Sequence, residues 1–250
     1  MYRVEHRGPS AASLAADQRP RDSASFAPVT EIMTITYEAA NLEGSEMLLE
    51  RDGPDVVIRI GPHTLMVSYA HDSEDELGRI VAAAVSGKPS PRVLIGGLGL
   101  GFTLRAALDG MKDDARVDVA ELVADVVRWN REDCGEYAGR PLEDGRVRVF
   151  IEDAADVLAR SENTYDVVAL DVDNGPRAIT HARNEQLYTH AGLMRAHAAL
   201  RPGGVLAVWS SFPSDEFTQA LSVVGTVELV QTTTAEQAEH FIWLATKSVA

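Results

Sequence analysis

Arg92-Val93-Leu94-Ile95-Gly96-Gly97-Leu98-Gly99-Leu100-Gly101 carries a short apolar run straight into a glycine-rich turn, and Phe102 opens a helical pattern behind it. Glycine adopts positive φ without steric cost and lets backbone approach a ligand where a Cβ would collide. Gly97, Gly99 and Gly101 give G-x-G-x-G. The dinucleotide form, G-x-G-x-x-G, would need glycine at Phe102 or Leu104. The spacing therefore points to an adenosylmethionine type of site rather than to NAD.

Downstream of this turn the chain alternates strand and helix. Strands are expected at Arg92–Ile95, Arg116–Ala120, Arg146–Ile151, Asp166–Leu170 and Val205–Ser210, with helices near Phe102–Leu108, Val123–Glu132, Ala154–Arg160 and Asn184–Ala199. The strands are short, Val-rich and continuously apolar, as when both sheet faces are covered. That rhythm predicts an α/β, Rossmann-like doubly wound sheet over residues 72–250. A helix near Ser214–Val224 and a hairpin of Val227–Gln231 and His240–Thr246 close it.

Upstream, Asp72 or Ser73 can cap a helix through about Ala84, with Glu74, Asp75 and Glu76 in its positive first turn. Before that, Met33–Tyr37, Glu46–Arg51, Val56–Ile60 and Thr64–Ser68 read as a small antiparallel β-region spanning 29–71, broken at Asp52-Gly53-Pro54 and Gly61-Pro62. Residues 1–28 are rich in Ala, Ser, Arg, Asp and Pro, without apolar period, and read as a disordered leader or a misassigned start, with Met33 a possible beginning.

Three acids stand at successive strand ends. Glu121 lies 20 residues beyond Gly101, where a carboxylate can accept both ribose hydroxyls. Asp153 can accept from an adenine amino group and also cap the helix behind it. Asp171 ends the fourth strand, where open α/β sheets place the reacting centre, and can orient an amine and take its proton. Asp173 and Asn174 extend that polar rim toward a substrate. Asp171 and Asp173 have no third ligand at motif spacing, so no metal is expected. His71, His181 and His190 fall in loops or at helix ends, with no serine or cysteine elbow beside them. Trp129 and Trp209 read as core or pocket wall.

Composition narrows the partners. With 23 basic and 38 acidic residues the formal charge is −15, which repels phosphate backbones and draws cations. No nucleic acid is expected. Neither an apolar run of about 18 residues nor a signal-peptide core is present, so no membrane partner is expected. The single cysteine, Cys134, excludes an internal disulfide. Cytoplasmic localisation is the default expectation.

Taken in order, Val93–Leu104, Ala120-Glu121-Leu122-Val123, Ile151-Glu152-Asp153, Tyr165–Asp171, Leu187-Tyr188-Thr189 and Ala199–Leu206 resemble successive landmarks of the spermidine synthase family. The resemblance covers roughly residues 46–212. It implies a class I S-adenosylmethionine-dependent transferase fold behind a small N-terminal β-region, and commonly a homodimer through those β-regions. It also implies transfer of an aminopropyl group from decarboxylated S-adenosylmethionine to a small amine, releasing methylthioadenosine. By position, Glu121 would hold the ribose, Asp153 the adenine, and Asp171 would activate the amine. Three departures stand out. The family's D-S-x-D-P is here Asp171-Val172-Asp173-Asn174-Gly175-Pro176. Its Tyr-His-Glu aligns with Glu74-Asp75-Glu76. Leu98 and Leu100 occupy turn positions where the family often has Gly and Asp. A methyltransferase using S-adenosylmethionine itself, or a non-catalytic relative, is the alternative.

Overall fold

The apolar run ahead of the glycine turn becomes a central strand of a large sheet. The computed structural model describes residues 4–7, 35–42, 45–172, 175–176, 182–234 and 238–249. In chain order these form β1 (Val4–Arg7), β2 (Ile35–Leu42), β3 (Ser45–Asp52), β4 (Asp55–Ile60), β5 (His63–Val67), α1 (Asp72–Ala84), β6 (Arg92–Gly96) and α2 (Phe102–Gly110). There follow β7 (Arg116–Glu121), α3 (Ala124–Glu132), two 3-10 turns, β8 (Val147–Ile151), α4 (Ala154–Ala159), β9 (Tyr165–Leu170), α5 (Ala182–Tyr188) and α6 (His190–Ala199). β10 (Leu200–Ser210), α7 (Asp215–Ala220), β11 (Thr226–Thr233) and β12 (Glu239–Thr246) complete the chain.

The eight-stranded sheet has the order β1-β11-β12-β10-β9-β6-β7-β8, and β2 to β5 form a separate antiparallel meander. From β10 across to β8 the neighbours are parallel. The chain runs β6, β7, β8 in one direction and then returns to place β9 on the other side of β6. Strand order thus reverses between β6 and β9, the position at which α/β sheets open a ligand crevice beyond the strands' carboxyl ends.

Both faces of this sheet are covered, which explains why its strands are apolar throughout. Val93, Ile95, Val117, Val119 and Val167 face a core shared with α1, α2 and α3, and Leu49, Val56 and Ile58 of the meander join that same core. Leu94, Val168, Leu170 and Leu206 face α4 and α6. Fully burying a side chain of this kind contributes about 1.5–3 kcal/mol.

α1 buries Glu74, Leu77, Gly78 and Val81, a stripe at helical spacing. Gly78 lets it lie unusually close to α2, since a Cβ there would fall 2.5 Å from Ala106 Cβ and 2.6 Å from the Thr103 carbonyl oxygen. This approach sets the first turn of α1 against the start of α2.

Val4–Arg7, within the stretch read as a leader, forms a strand parallel to β11, Val4 opposite Leu229. A four-residue strand has no period to detect, and its partner lies at the far end of the chain. The helix expected over Asn184–Ala199 is two helices, interrupted at Thr189, whose hydroxyl accepts from Gly192 N–H to cap α6. No helix among the described residues is long and apolar enough to cross a membrane.

Candidate functional site

The glycine turn is held from three sides. Gly97 N–H donates to the Ala120 carbonyl at 2.9 Å, Asn130 Nδ2 of α3 donates to the Gly99 carbonyl at 2.7 Å, and Leu100 N–H approaches Met66 Sδ of β5 at 3.0 Å. Gly97 has φ +89°, and a Cβ on it would stand 2.1 Å from the Asp171 carbonyl oxygen. Only glycine fits there. Leu98 and Leu100 turn the other way, into the core, and Leu100 is fully buried. Their side chains therefore leave the crevice to Gly97 and Gly99.

Beyond the turn lies a crevice of about 960 Å³, counted to its open mouth. Glu121, Asp153 and Asp171 line it together with Gly97 and Gly99, so three strand-end acids converge on the turn. Gly101 stands behind it at φ +90°, where it opens α2. Asp173 and Asn174 lie outside the described residues, as does His181. His71 stacks on Phe102 at 3.8 Å and pairs with Asp75 at 3.1 Å, away from the crevice lining.

Glu121 accepts from Leu98 N–H at 2.9 Å on one oxygen and from Val123 N–H at 2.8 Å on the other. Burial pushes its carboxyl upward, partly offset by these backbone donors. Each carboxylate oxygen can accept twice, so capacity remains for a ligand. Asp153 caps α4 by accepting from Ala155 N–H at 2.8 Å. Asp171 accepts from Thr103 Oγ1 at 2.6 Å, while its own N–H donates to the Gly96 carbonyl at 2.8 Å. Burial raises the Asp171 carboxyl to about 6.

Glu74 also lines the crevice. Burial, and then the charge on Asp171, raise its carboxyl to about 7, against the Ser73 hydroxyl that donates to it at 2.5 Å. It stands in the first turn of α1, as read from sequence, and also lies on that helix's apolar stripe. An acid in register with Leu77, Gly78 and Val81 is the signal that marks it. Trp209 forms another wall. Val208 pairs with Leu170, which brings the residue after each, Trp209 and Asp171, side by side at the strand ends. Its Nε1–H is buried without a partner. Met47, Ile58, Leu65 and Met66 supply an apolar wall from the meander.

Among the described lining residues, Glu74, Glu121, Asp153 and Asp171 are carboxylates and none is Lys, Arg or His. No group of three metal-ligating side chains occurs among the described residues. Cys134 is buried, its thiol pushed up to about 12 by burial, and stands apart as an inert core residue.

The family model described as the spermine/spermidine synthase domain matches residues 79–236, well over half of the chain. The chain belongs to the spermine/spermidine synthase family. Among curated relatives, polyamine aminopropyltransferase 2 of Pseudomonas aeruginosa is 35% identical over 134 residues, which is 52% of this chain and 36% of that protein. The polyamine aminopropyltransferase of Prochlorococcus marinus is 28% identical over 122 residues, 48% of this chain and 41% of its own. The match thus spans less than half the length of either relative. Spermidine synthase from Thermotoga maritima shares the fold at TM-score 0.71 and 18% identity, covering 86% of this chain and 74% of its own. A spermidine synthase in complex with the transition-state analogue AdoDATO aligns at TM-score 0.69 and 18% identity, over 86% and 73%. These place the family member on the Rossmann-like methyltransferase scaffold expected from its sequence.

Proposed function

We propose that this family member transfers an aminopropyl group from decarboxylated S-adenosylmethionine to a small amine. The observation that carries the reading is the charge of the crevice. The donor brings a sulfonium and an ammonium, and the acceptor brings at least one ammonium. Four carboxylates with no basic neighbour among the described lining residues suit such a cationic pair. S-adenosylmethionine itself carries a carboxylate, which would enter this field with no described cation to meet it.

In this reading the ribose hydroxyls donate to Glu121, and the adenine amino group donates to Asp153. The glycine turn presents the backbone of Gly97 and Gly99 to the adenosyl group. Asp171 accepts the ammonium proton of the acceptor, freeing its lone pair. The amine nitrogen then forms a bond to the propyl carbon as the carbon–sulfur bond breaks and its electron pair returns to sulfur. The positive charge passes from sulfur to nitrogen, leaving methylthioadenosine. Asp173 and Asn174 would continue the acceptor rim.

Calorimetry with the two donors tests this. The decarboxylated donor should bind at least about tenfold more tightly than S-adenosylmethionine, and tighter binding of the carboxylated donor overturns the reading. Asp171→Asn should lower methylthioadenosine release by about 100-fold or more while donor binding persists.

A further inference from the structure

We propose that Glu74 determines acceptor specificity, its carboxylate joining that of Asp171 to form one paired site for an alkylammonium, walled by the Trp209 indole. The inference rests on the transferase reading for the identity of the acceptor, but the site itself is argued from burial, hydrogen bonding and the acidic groups around Glu74.

Four observations converge. First, Glu74 lines the crevice and is only 8% exposed, so its charge is neither a surface helix cap nor freely hydrated. Second, its side chain accepts from the Ser73 hydroxyl and from its own backbone N–H, and no basic group is among the described groups that act on it. A carboxylate this buried ordinarily has a counter-charge. Third, the groups facing it are themselves acidic or neutral: Asp171 after β9, Asp75 on its own helix, and Thr103 on α2, whose hydroxyl is committed to Asp171. Fourth, Trp209 walls the crevice beside Asp171. An indole face beside paired carboxylates favours a cation, whereas its Nε1–H, a donor only, takes no part in holding an ammonium.

The close α1–α2 packing explains how the pair forms. Gly78 lies one turn beyond Glu74 and removes the Cβ that would push α1 off α2. Thr103, at the facing turn of α2, touches both residues, 2.6 Å from Asp171 Oδ2 and 3.4 Å from the Glu74 carbonyl. In the free protein burial holds both carboxyls above the ordinary range, at about 6 for Asp171 and about 7 for Glu74, so the pair is partly protonated near neutral pH. An arriving ammonium supplies the positive charge instead, and that proton leaves to solvent. During transfer Asp171 takes one proton from the ammonium. Glu74 remains ionised and holds the cationic product nitrogen.

The test is calorimetric and independent of turnover. Purified full-length protein is titrated at pH 7 with 1,3-diaminopropane, 1,4-diaminobutane, 1,5-diaminopentane and spermidine, each in phosphate and in Tris. The two buffers' ionisation heats report protons released on binding. Wild type should bind at least one of these amines with net proton release. Glu74→Gln should weaken it about tenfold or more and remove the release, while decarboxylated S-adenosylmethionine binds within about twofold. Glu74→Asp should recover part of both. Unchanged amine affinity and proton release in Glu74→Gln overturn the inference, as does failure of all four amines to bind wild type. Should Glu74→Gln not fold, the glutamate carboxyl carbon-13 signal of wild type decides: it must move toward the ionised position on adding the amine. If amines bind with proton release but no methylthioadenosine forms from the decarboxylated donor, the transferase reading falls and the carboxylate pair stands.

Discussion

Leu98 N–H donates to Glu121 Oε2 at 2.9 Å, tying the glycine turn to the end of the neighbouring strand through one buried carboxylate. The other oxygen takes Val123 N–H at 2.8 Å, so a single side chain satisfies two backbone donors from two loops. Removing it leaves both donors unpaired, at about 1–3 kcal/mol each. Glu121→Ala should therefore lower the urea midpoint and weaken adenosyl-donor binding by about 100-fold. Glu121→Gln, which retains one acceptor oxygen, should lose less of both. Calorimetry and urea titration on the same preparations separate the two effects, and unaltered donor affinity in Glu121→Ala removes this residue from the ribose.

Gly78 links helix packing to chemistry. An added Cβ would collide with Ala106 Cβ and with backbone atoms of Thr103 and Ala107 at 2.5–2.8 Å, so α1 must shift outward. Gly78→Ala should cost about 1–3 kcal/mol in thermal or urea unfolding. It should also raise the acceptor KM more than the donor KM, because Glu74 moves with α1 and the glycine turn does not. Equal effects on both substrates would place α1 outside acceptor binding.

Much of this site can be read locally. A strand end followed by a glycine turn is contained in ten consecutive residues, and Glu121, Asp153 and Asp171 each follow their own Val-rich run, so their convergence needs only the parallel order of the strands. Glu74 is different. Its partner lies 97 residues away, and the pairing depends on how closely α1 packs on α2. Its position in register with Leu77 and Val81 was the available sign, but an acid in the first turn of a helix already has an adequate local explanation. Leu100 adds a further point: it stands where the family often has Asp, and its side chain enters the core, so this position supplies no acid to the crevice. The direction of a turn side chain is set by φ at its glycine neighbours, which residue type alone does not report.

The buried acids should make the free protein less stable as pH rises. Their folded carboxyls titrate at about 6 for Asp171 and about 7 for Glu74, above ordinary values of 3.8 and 4.5. Between roughly pH 4 and 7 the folded state therefore holds protons that the unfolded chain has lost, and stability falls with rising pH across that window. Below it both states are protonated and the contribution vanishes. His197 and His240, lowered by burial, push the opposite way, so the useful quantity is a difference between proteins. From pH 5 to pH 8 wild type should lose on the order of 1–3 kcal/mol more than Glu74→Gln in urea unfolding. Parallel curves would mean that Glu74 ionises in the folded protein as it does in the unfolded chain.

Trp209 offers an optical report on the crevice. The chain has three tryptophans. Trp129 and Trp243 are fully buried in opposite cores, and Trp243 Nε1–H is committed to Thr218 Oγ1 at 2.8 Å. Trp209 alone of the three lines the crevice, stacked on His240 at 5.2 Å with its Nε1–H unpaired. A ligand entering the crevice changes the polarity and charge around this indole and leaves the other two unaffected. Donor or amine binding should therefore shift the intrinsic fluorescence of wild type, and Trp209→Phe should abolish that shift. The same substitution removes an unsatisfied N–H and keeps most of the packing, so unfolding stability should stay within about 1.5 kcal/mol of wild type. Its effect on kinetics should fall on the acceptor, because Trp209 stands beside Asp171 rather than beside Glu121 or Asp153. A ligand-dependent signal that survives in Trp209→Phe would mean that binding reorganises one of the two cores, and the crevice could not then be treated as preformed.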